Sequence, residues 1–190
     1  DILVNNAAAA MYGEVADMPL KRRRLLFELN VHAPLDLAQA AIPAMRAERE
    51  GWIANVSSAT ARPWAGPPFT LGTQGPTTTA YGASKAALNR MTNGLAAELH
   101  GTGIRVNTIE PRGAVLTEGA EALMGGKLRP DQMETLEQMV EAVVALCDCP
   151  AEVTGASMVS LDLLDEWGVE VRGLDGTVLE SMGRGKDTRE

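Results

Sequence analysis

Cysteine, histidine, aromatic residues and long apolar runs are all scarce in this chain, and each scarcity removes a class of function. Cys147 and Cys149 are the only cysteines. Cys-Asp-Cys is too tight a spacing for an ordinary disulfide and does not complete a zinc site. Packing at the end of a helical run is the expected role of both, in keeping with a reducing, cytoplasmic setting. His32 and His100 are the only histidines, and neither has a partner at metal-site or triad spacing, so no metal centre is expected. No apolar run approaches the ~18 residues of a membrane span. Lys and Arg number 17 against 25 Asp and Glu, for a formal net charge of −8. That balance argues against a nucleic-acid surface, which needs clustered cations. Also absent is any G-x-G-x-x-G or G-x-x-x-G-x-G run, so no glycine-rich turn is placed to cradle phosphates at a helix N-terminus. Gly125 and Gly126 follow no predicted strand.

What is present suits a single globular domain. The 190 residues are 45% hydrophobic and 22% charged, enough apolar content for a core and too little charge bias for disorder. Ile2-Leu3-Val4 reads as a strand covered on both faces. Residues 18–50 read as a long helix, with Leu25, Leu26, Leu29, Leu37, Ile42 and Met45 at helical spacings and local bending at Pro34 and Pro43. The cations at 21–24 read as a solvated first turn. Strands follow at 52–56 and 104–109, separated by a helix at 80–100 that Gly101 and Gly103 terminate. A helix over 130–147, with Met133, Leu136, Met139, Val140, Val143 and Val144 facing inward, and a strand over 158–161 complete the pattern. Such alternation predicts a parallel α/β sheet with right-handed crossovers. The polar residues 176–190 are expected to form a disordered tail after a domain spanning 1–175.

The most informative stretch is Tyr81-Gly82-Ala83-Ser84-Lys85. A tyrosine and a lysine four residues apart share one helix face. A free phenol has a pKa near ~10, and lowering it by about three units requires roughly 4 kcal/mol of preference for the phenolate. An ammonium about 4 Å away, at an effective dielectric near ~20, supplies an attraction of that order. The pair is therefore expected to act as an acid/base device, with Lys85 lowering the pKa of Tyr81.

The flanking segments sharpen this. They are Asp1-Ile2-Leu3-Val4-Asn5-Asn6-Ala7-Ala8, a helical Leu29-Asn30-Val31, Ile53-Ala54-Asn55-Val56-Ser57-Ser58, and Ile104-Arg105-Val106-Asn107-Thr108-Ile109-Glu110-Pro111. In this order, with Tyr-x-x-x-Lys, the set resembles the short-chain dehydrogenase/reductase family over about residues 1–165. The resemblance implies a Rossmann-like doubly wound parallel sheet, of which this chain holds the C-terminal portion without the first strands and Gly-rich turn. It also implies an oxidoreductase using NAD or NADP on a small carbonyl/alcohol substrate.

By resemblance, Tyr81 is the general acid/base, Lys85 its partner and a holder of ribose hydroxyls, and Ser58, rather than Ser57, the donor to the substrate oxygen. Asn30 matches a helical Asn whose local backbone disturbance lets a water link it to the lysine. Asn6 and Ala7 match a strand end that contacts the cofactor, with Ala8 in place of the family's Gly. Pro111 starts the turn against the nicotinamide, although Arg112 stands where Gly is usual. Thr117 fills the carboxamide-contacting position one residue late. Glu110 and Arg112 are read as a salt-bridged surface pair. Ser58 precedes Tyr81 by a longer gap than the family usually shows, and the excess falls in 62–79, an enlarged loop beside the substrate pocket.

The same resemblance implies a fragment: the Asp1–Ala7 strand would present an open apolar edge and an uncovered face, an aggregation hazard. Helices 18–50 and 80–100 are those expected to form a homodimer or homotetramer. The competing expectation is a non-catalytic remnant kept for subunit contacts.

Overall fold

Four parallel strands, β1 (Ile2–Asn5), β2 (Gly51–Val56), β3 (Ile104–Glu110) and β6 (Ser157–Val159), line up in the order β1-β2-β3-β6 in this computed structural model. Two further strands, β4 (Ala114–Val115) and β5 (Met133–Glu134), pair in parallel beside the sheet. The structure describes residues 1–71, 75–115, 117, 133–173 and 175–179.

The helices between the strands cover both faces, as successive strand residues point to opposite sides. Leu3, Ile53 and Val106 pack against Ala38 and Met45 of α2 (Ala33–Glu48) and Leu95 and Leu99 at the end of α3 (Thr79–Glu98). Trp52, Ala54, Val56 and Ile109 face the other way, onto Met139, Ala142 and Leu146 of α4 (Leu136–Leu146) and Leu163 and Leu164 of α5 (Ser160–Trp167). The fold is thus the parallel α/β sheet that the strand–helix alternation implied, in the Rossmann-like form that the resemblance implied. β1 lies at the edge, with Leu3 turned to the core and Ile2 and Val4 exposed at 57% and 40%.

The expected long helix over 18–50 is interrupted. α1 (Leu20–Phe27) runs into a π turn at Glu28–His32 and then into α2. Pro34 explains part of this, because it has no N–H to return to the Asn30 carbonyl four residues back. The amide of Ala33 instead reaches the Glu28 carbonyl, five residues away.

The helix expected over 130–147 begins only at Leu136, and residues 130–132 lie outside the described ones. Thr135 fixes its start with a reciprocal cap: Gln138 N–H donates to Thr135 Oγ1, and Thr135 N–H donates to Gln138 Oε1. Met133 accordingly belongs to β5. Leu136, Val140 and Val144, expected inside, are exposed because the buried stripe is Met139, Ala142 and Leu146. The last strand ends at Val159 rather than 161, and the chain turns helical at Ser160. Of the expected tail, residues 176–179 include an antiparallel bridge between Arg172 and Val178, and 180–190 lie outside the described residues.

Candidate active site

Parallel pairing brings the carboxyl ends of β1, β2 and β3 to one rim. Asn5 stands opposite Asn55, and Val56 opposite Ile109. The segments leaving this rim carry Asn6 and Ala7, then Ser57 and Ser58, then Pro111. In open α/β sheets the crevice outside these strand ends is where ligands bind.

Ser58 caps a single 3₁₀ turn (Ala59–Ala61): its Oγ accepts from Thr60 N–H at 3.3 Å and Thr60 Oγ1 at 3.0 Å. The first turns of α3 press against this turn, and Gly82 makes the approach possible. A Cβ on Gly82 would lie under 3.0 Å from the Thr60 carbonyl oxygen. Contact this close brings Tyr81, one residue earlier, near enough to Ser58 for that hydroxyl to favour the phenolate. The Tyr81 ring is buried, and Tyr12 meets it edge-on with centroids 5.7 Å apart. The Tyr12 segment is held there by Gly13 N–H donating to the Thr77 carbonyl at 2.8 Å.

Lys85 lies one turn further along α3, 3% exposed, with its Nζ donating to the Val56 carbonyl at 2.8 Å. Ser57 is engaged elsewhere: its Oγ donates to Asn89 Oδ1 at 2.5 Å.

Electrostatics here depart from the simple expectation for the pair. Burial pushes the Tyr81 phenol up to about 12, with the Ser58 hydroxyl pulling it down and Tyr12 adding to the rise. Burial likewise pushes the Lys85 ammonium down to about 8. Low-dielectric surroundings disfavour both charged forms, phenolate and ammonium alike. The lowering of the phenol expected from Lys85 is not among its causes, and burial sets the balance, so the phenol holds its proton at neutral pH.

Asn30 sits in the π turn, 1% exposed, with its side chain fully engaged. Its Oδ1 accepts from Ala9 N–H at 2.9 Å, and its Nδ2 donates to the Ala9 carbonyl and to Ser84 Oγ, each at 2.9 Å. Ser84 Oγ in turn donates to the Tyr81 carbonyl at 2.7 Å. The side chain thus braces the segment after β1 against α3.

Pro111 follows β3 directly, and the exposed Thr117 lies beyond β4, its N–H donating to the Val115 carbonyl at 2.9 Å. Glu110 and Arg112 are not paired with each other. Glu110 is 5% exposed and accepts from Arg62 Nε at 2.6 Å, whereas Arg112 turns to Asp162 on α5. The reason is placement: Glu110 ends β3 facing the 62–79 loop, and Arg112 belongs to the turn that faces α5.

Sequence reasoning assigned no role to Tyr12, Gly82 or Ser84. Gly82 and Ser84 lie inside the Tyr81–Lys85 pentapeptide, where a glycine and a serine in a helix require an explanation. Tyr12 carries no comparable signal. Among the described residues, no three His, Cys, Asp or Glu side chains are grouped to hold a metal, and no helix is long and apolar enough to cross a membrane.

Comparison with known proteins agrees with this architecture. The family profile "short chain dehydrogenase" matches residues 1–126. Oxidoreductase UcpA of Salmonella typhimurium is 34% identical over 143 residues, which is 75% of this chain and 51% of the relative. The 2-(S)-hydroxypropyl-CoM dehydrogenase 3 of Xanthobacter autotrophicus is 31% identical over 169 residues, 82% of this chain and 62% of that one. A solved gluconate 5-dehydrogenase described as putative and NAD(P) dependent, from Beutenbergia cavernae with bound NADP, superposes with a TM-score of 0.71. It is 29% identical over 84% of this chain and 64% of its own. A 4-hydroxyisoleucine dehydrogenase complexed with NADH gives 0.66 at 26% identity, covering 84% of this chain and 66% of its own. The chain spans about half the length of UcpA. With its sheet, its rim and two-thirds of its sequence matching in these ways, the chain belongs to the short-chain dehydrogenase family.

Proposed function

We propose that this chain carries the catalytic half of an oxidoreductase that moves hydride between NAD or NADP and a small carbonyl/alcohol substrate. The single observation that carries the reading is the packing of α3 on the Ser58–Ala61 turn, which sets Tyr81 beside Ser58 at the sheet rim with the buried Lys85 one helical turn away. The residues present fit a nicotinamide nucleotide. Among the described residues, Val56 takes one of the three N–H donors of Lys85, and Asn5 Oδ1 is buried without a partner at the end of β1. Lys85 would hold ribose hydroxyls, and Asn6, Ala7, Pro111 and Thr117 would line the cofactor. When bound, the nicotinamide supplies or accepts the hydride.

The chain's own residues handle the proton. Tyr81, protonated at neutral pH, gives its phenolic proton to the carbonyl oxygen in reduction and recovers one from the alcohol in oxidation. Ser58 donates to the same oxygen and stabilises the charge that develops on it. Asn30 keeps the π turn against α3, and with it the placement of the helix that carries Tyr81 and Lys85.

Replacing the phenol tests the assignment. Turnover followed by nicotinamide absorbance should fall about 10²- to 10⁴-fold in Tyr81→Phe, the usual worth of a general acid. Undiminished turnover in that variant sinks it.

A homodimer or homotetramer through helices 18–50 and 80–100, in the cytoplasm, accompanies this reading. The exposed Leu35 and Leu37 of α2 and Leu25 and Phe27 of α1 support it. The same apolar positions support a second reading, a non-catalytic subunit kept for contacts. Oligomer formation with no dinucleotide binding would favour that one.

A further inference from the structure

Glu134 is a buried acid that the proton chemistry above does not use. It lies on β5, 3% exposed, and its Oε2 accepts from Ser160 Oγ at 2.5 Å. Among the described residues, its Oε1 is buried with no hydrogen-bond partner. Arg112 of the turn after β3 draws the same carboxyl toward its ionised form, and Asp162 of α5 faces that guanidinium. The carboxyl thereby sits where three pieces of chain meet: the turn after β3, strand β5 paired to β4, and the first residue of α5.

The location gives the clasp a purpose. The Arg112 turn begins with Pro111, at the strand rim beside Ser58, and leads into β4, whose Ala114 and Val115 pair with Met133 and Glu134. Fastening this turn therefore fixes the segment from Pro111 to Val115 beyond the end of β3. We propose that Glu134 is a positioning residue, a carboxyl clasp that sets where the Pro111–Val115 segment lies beside the cofactor in the reaction assigned to Tyr81. The inference rests on that reading for its purpose and on geometry for the clasp.

Its pH dependence has a defined sign. Burial pushes Glu134 up to about 7, with Ser160 and Arg112 pulling the other way. A solvated glutamic acid titrates near ~4.3. Opening the clasp hydrates the carboxyl and releases a proton between these values, so the closed form is favoured at low pH and loosens as pH rises toward 7.

The test is amide hydrogen exchange of the 190-residue chain between pH 4.5 and 8, corrected for intrinsic rates. Protection at Arg112 and Val115 should fall roughly tenfold or more across the window, since each unit of separation in pKa is a factor of ten in the opening equilibrium. Glu134→Gln, which keeps the shape and can still accept from Ser160, should hold protection flat. Ser160→Ala removes one donor and should shift the wild-type curve to higher pH. Equal pH dependence in wild type and Glu134→Gln overturns the proposal, as does a change confined to other segments. The exchange signal needs no bound cofactor. A flat Glu134→Gln profile alongside full turnover in Tyr81→Phe would keep the clasp and remove the oxidoreductase reading.

Discussion

Asn30 of the π turn donates a 2.9 Å hydrogen bond to Ser84 Oγ of α3, and both residues are essentially shielded from water. Two more bonds join the same side chain to Ala9. One amide therefore satisfies the main chain leaving β1 and the helix bearing Tyr81 at once. Asn30→Ala would strand the Ala9 amide and carbonyl in the interior. An unsatisfied buried polar group costs about 1–3 kcal/mol, so a loss of roughly 2–4 kcal/mol is expected in urea unfolding. A loss below about 1 kcal/mol would show that water replaces these bonds without penalty.

Gly82→Ala should harm the protein despite alanine's better helix propensity. The added Cβ would press on the Thr60 carbonyl, a main-chain atom that cannot rotate away. Either α3 or the 58–61 turn must move, separating Tyr81 from Ser58. Overpacking of this kind costs about 1–3 kcal/mol. Gly94→Ala is the control, because there a Cβ would meet only the Arg90 guanidinium end. That variant should gain up to about 1 kcal/mol from propensity. Thermal melts of the two separate crowding from helix content.

Lys85→Met should stabilise the folded chain at neutral pH. Burial pushes the Lys85 ammonium down to about 8 in the folded state, below its value near ~10.4 when solvated. The unfolded chain thus binds more protons between these limits, and stability contributed by this group rises with pH there. The cost of burying the charge is fully present below about 8 and gone above about 10.4. The variant's advantage, on the order of 2 kcal/mol at pH 7, should shrink to nothing near pH 10 in denaturant titrations. An advantage that does not change with pH would mean the methylene stem, not the charge, decides the effect.

Ile2→Lys and Val4→Lys address the edge strand. Both side chains are exposed on β1 while Leu3 packs inward. Charges on an edge strand discourage pairing with another chain. Light scattering should show the onset of self-association moving to severalfold higher concentration, with little change in melting temperature. Leu3→Lys should instead unfold the strand's packing.

Much of the architecture was legible because burial imposes periodicity. The runs at Ile2-Leu3-Val4, 52–56 and 104–109 read as buried strands, and they proved to be adjacent in the sheet, although β1, at the edge, is covered on Leu3's face only and leaves Ile2 and Val4 exposed. Ser58, Tyr81 and Lys85 were legible because chemistry fixes their spacing on one helix and one strand end. Helix α4 was misread for the opposite reason. Leu136, Val140 and Val144 repeat as regularly as Met139, Ala142 and Leu146, and the sequence alone does not say which stripe meets the sheet. The state of the phenol was also illegible: a charge four residues away is visible in a sequence, whereas the desolvation of both groups belongs to the assembled fold. Tyr12 and Glu134 reach their places through tertiary packing that leaves no local trace.

The π turn at Glu28–His32 adds one residue to an otherwise α-helical run. Each residue advances an α-helix by about 100°, since 3.6 residues complete a turn. A π turn closes its hydrogen bond over five residues where an α turn uses four, so the extra residue is taken up within that one turn and the helix beyond it keeps its facing. The same extra residue carried in plain α geometry would instead rotate α2 by that angle. Ala38 and Met45, now 1% exposed against the sheet, would then swing toward solvent, and Leu37 would turn inward. The wide turn thus works as slack between two helical segments, keeping the second in step with the strands beneath it.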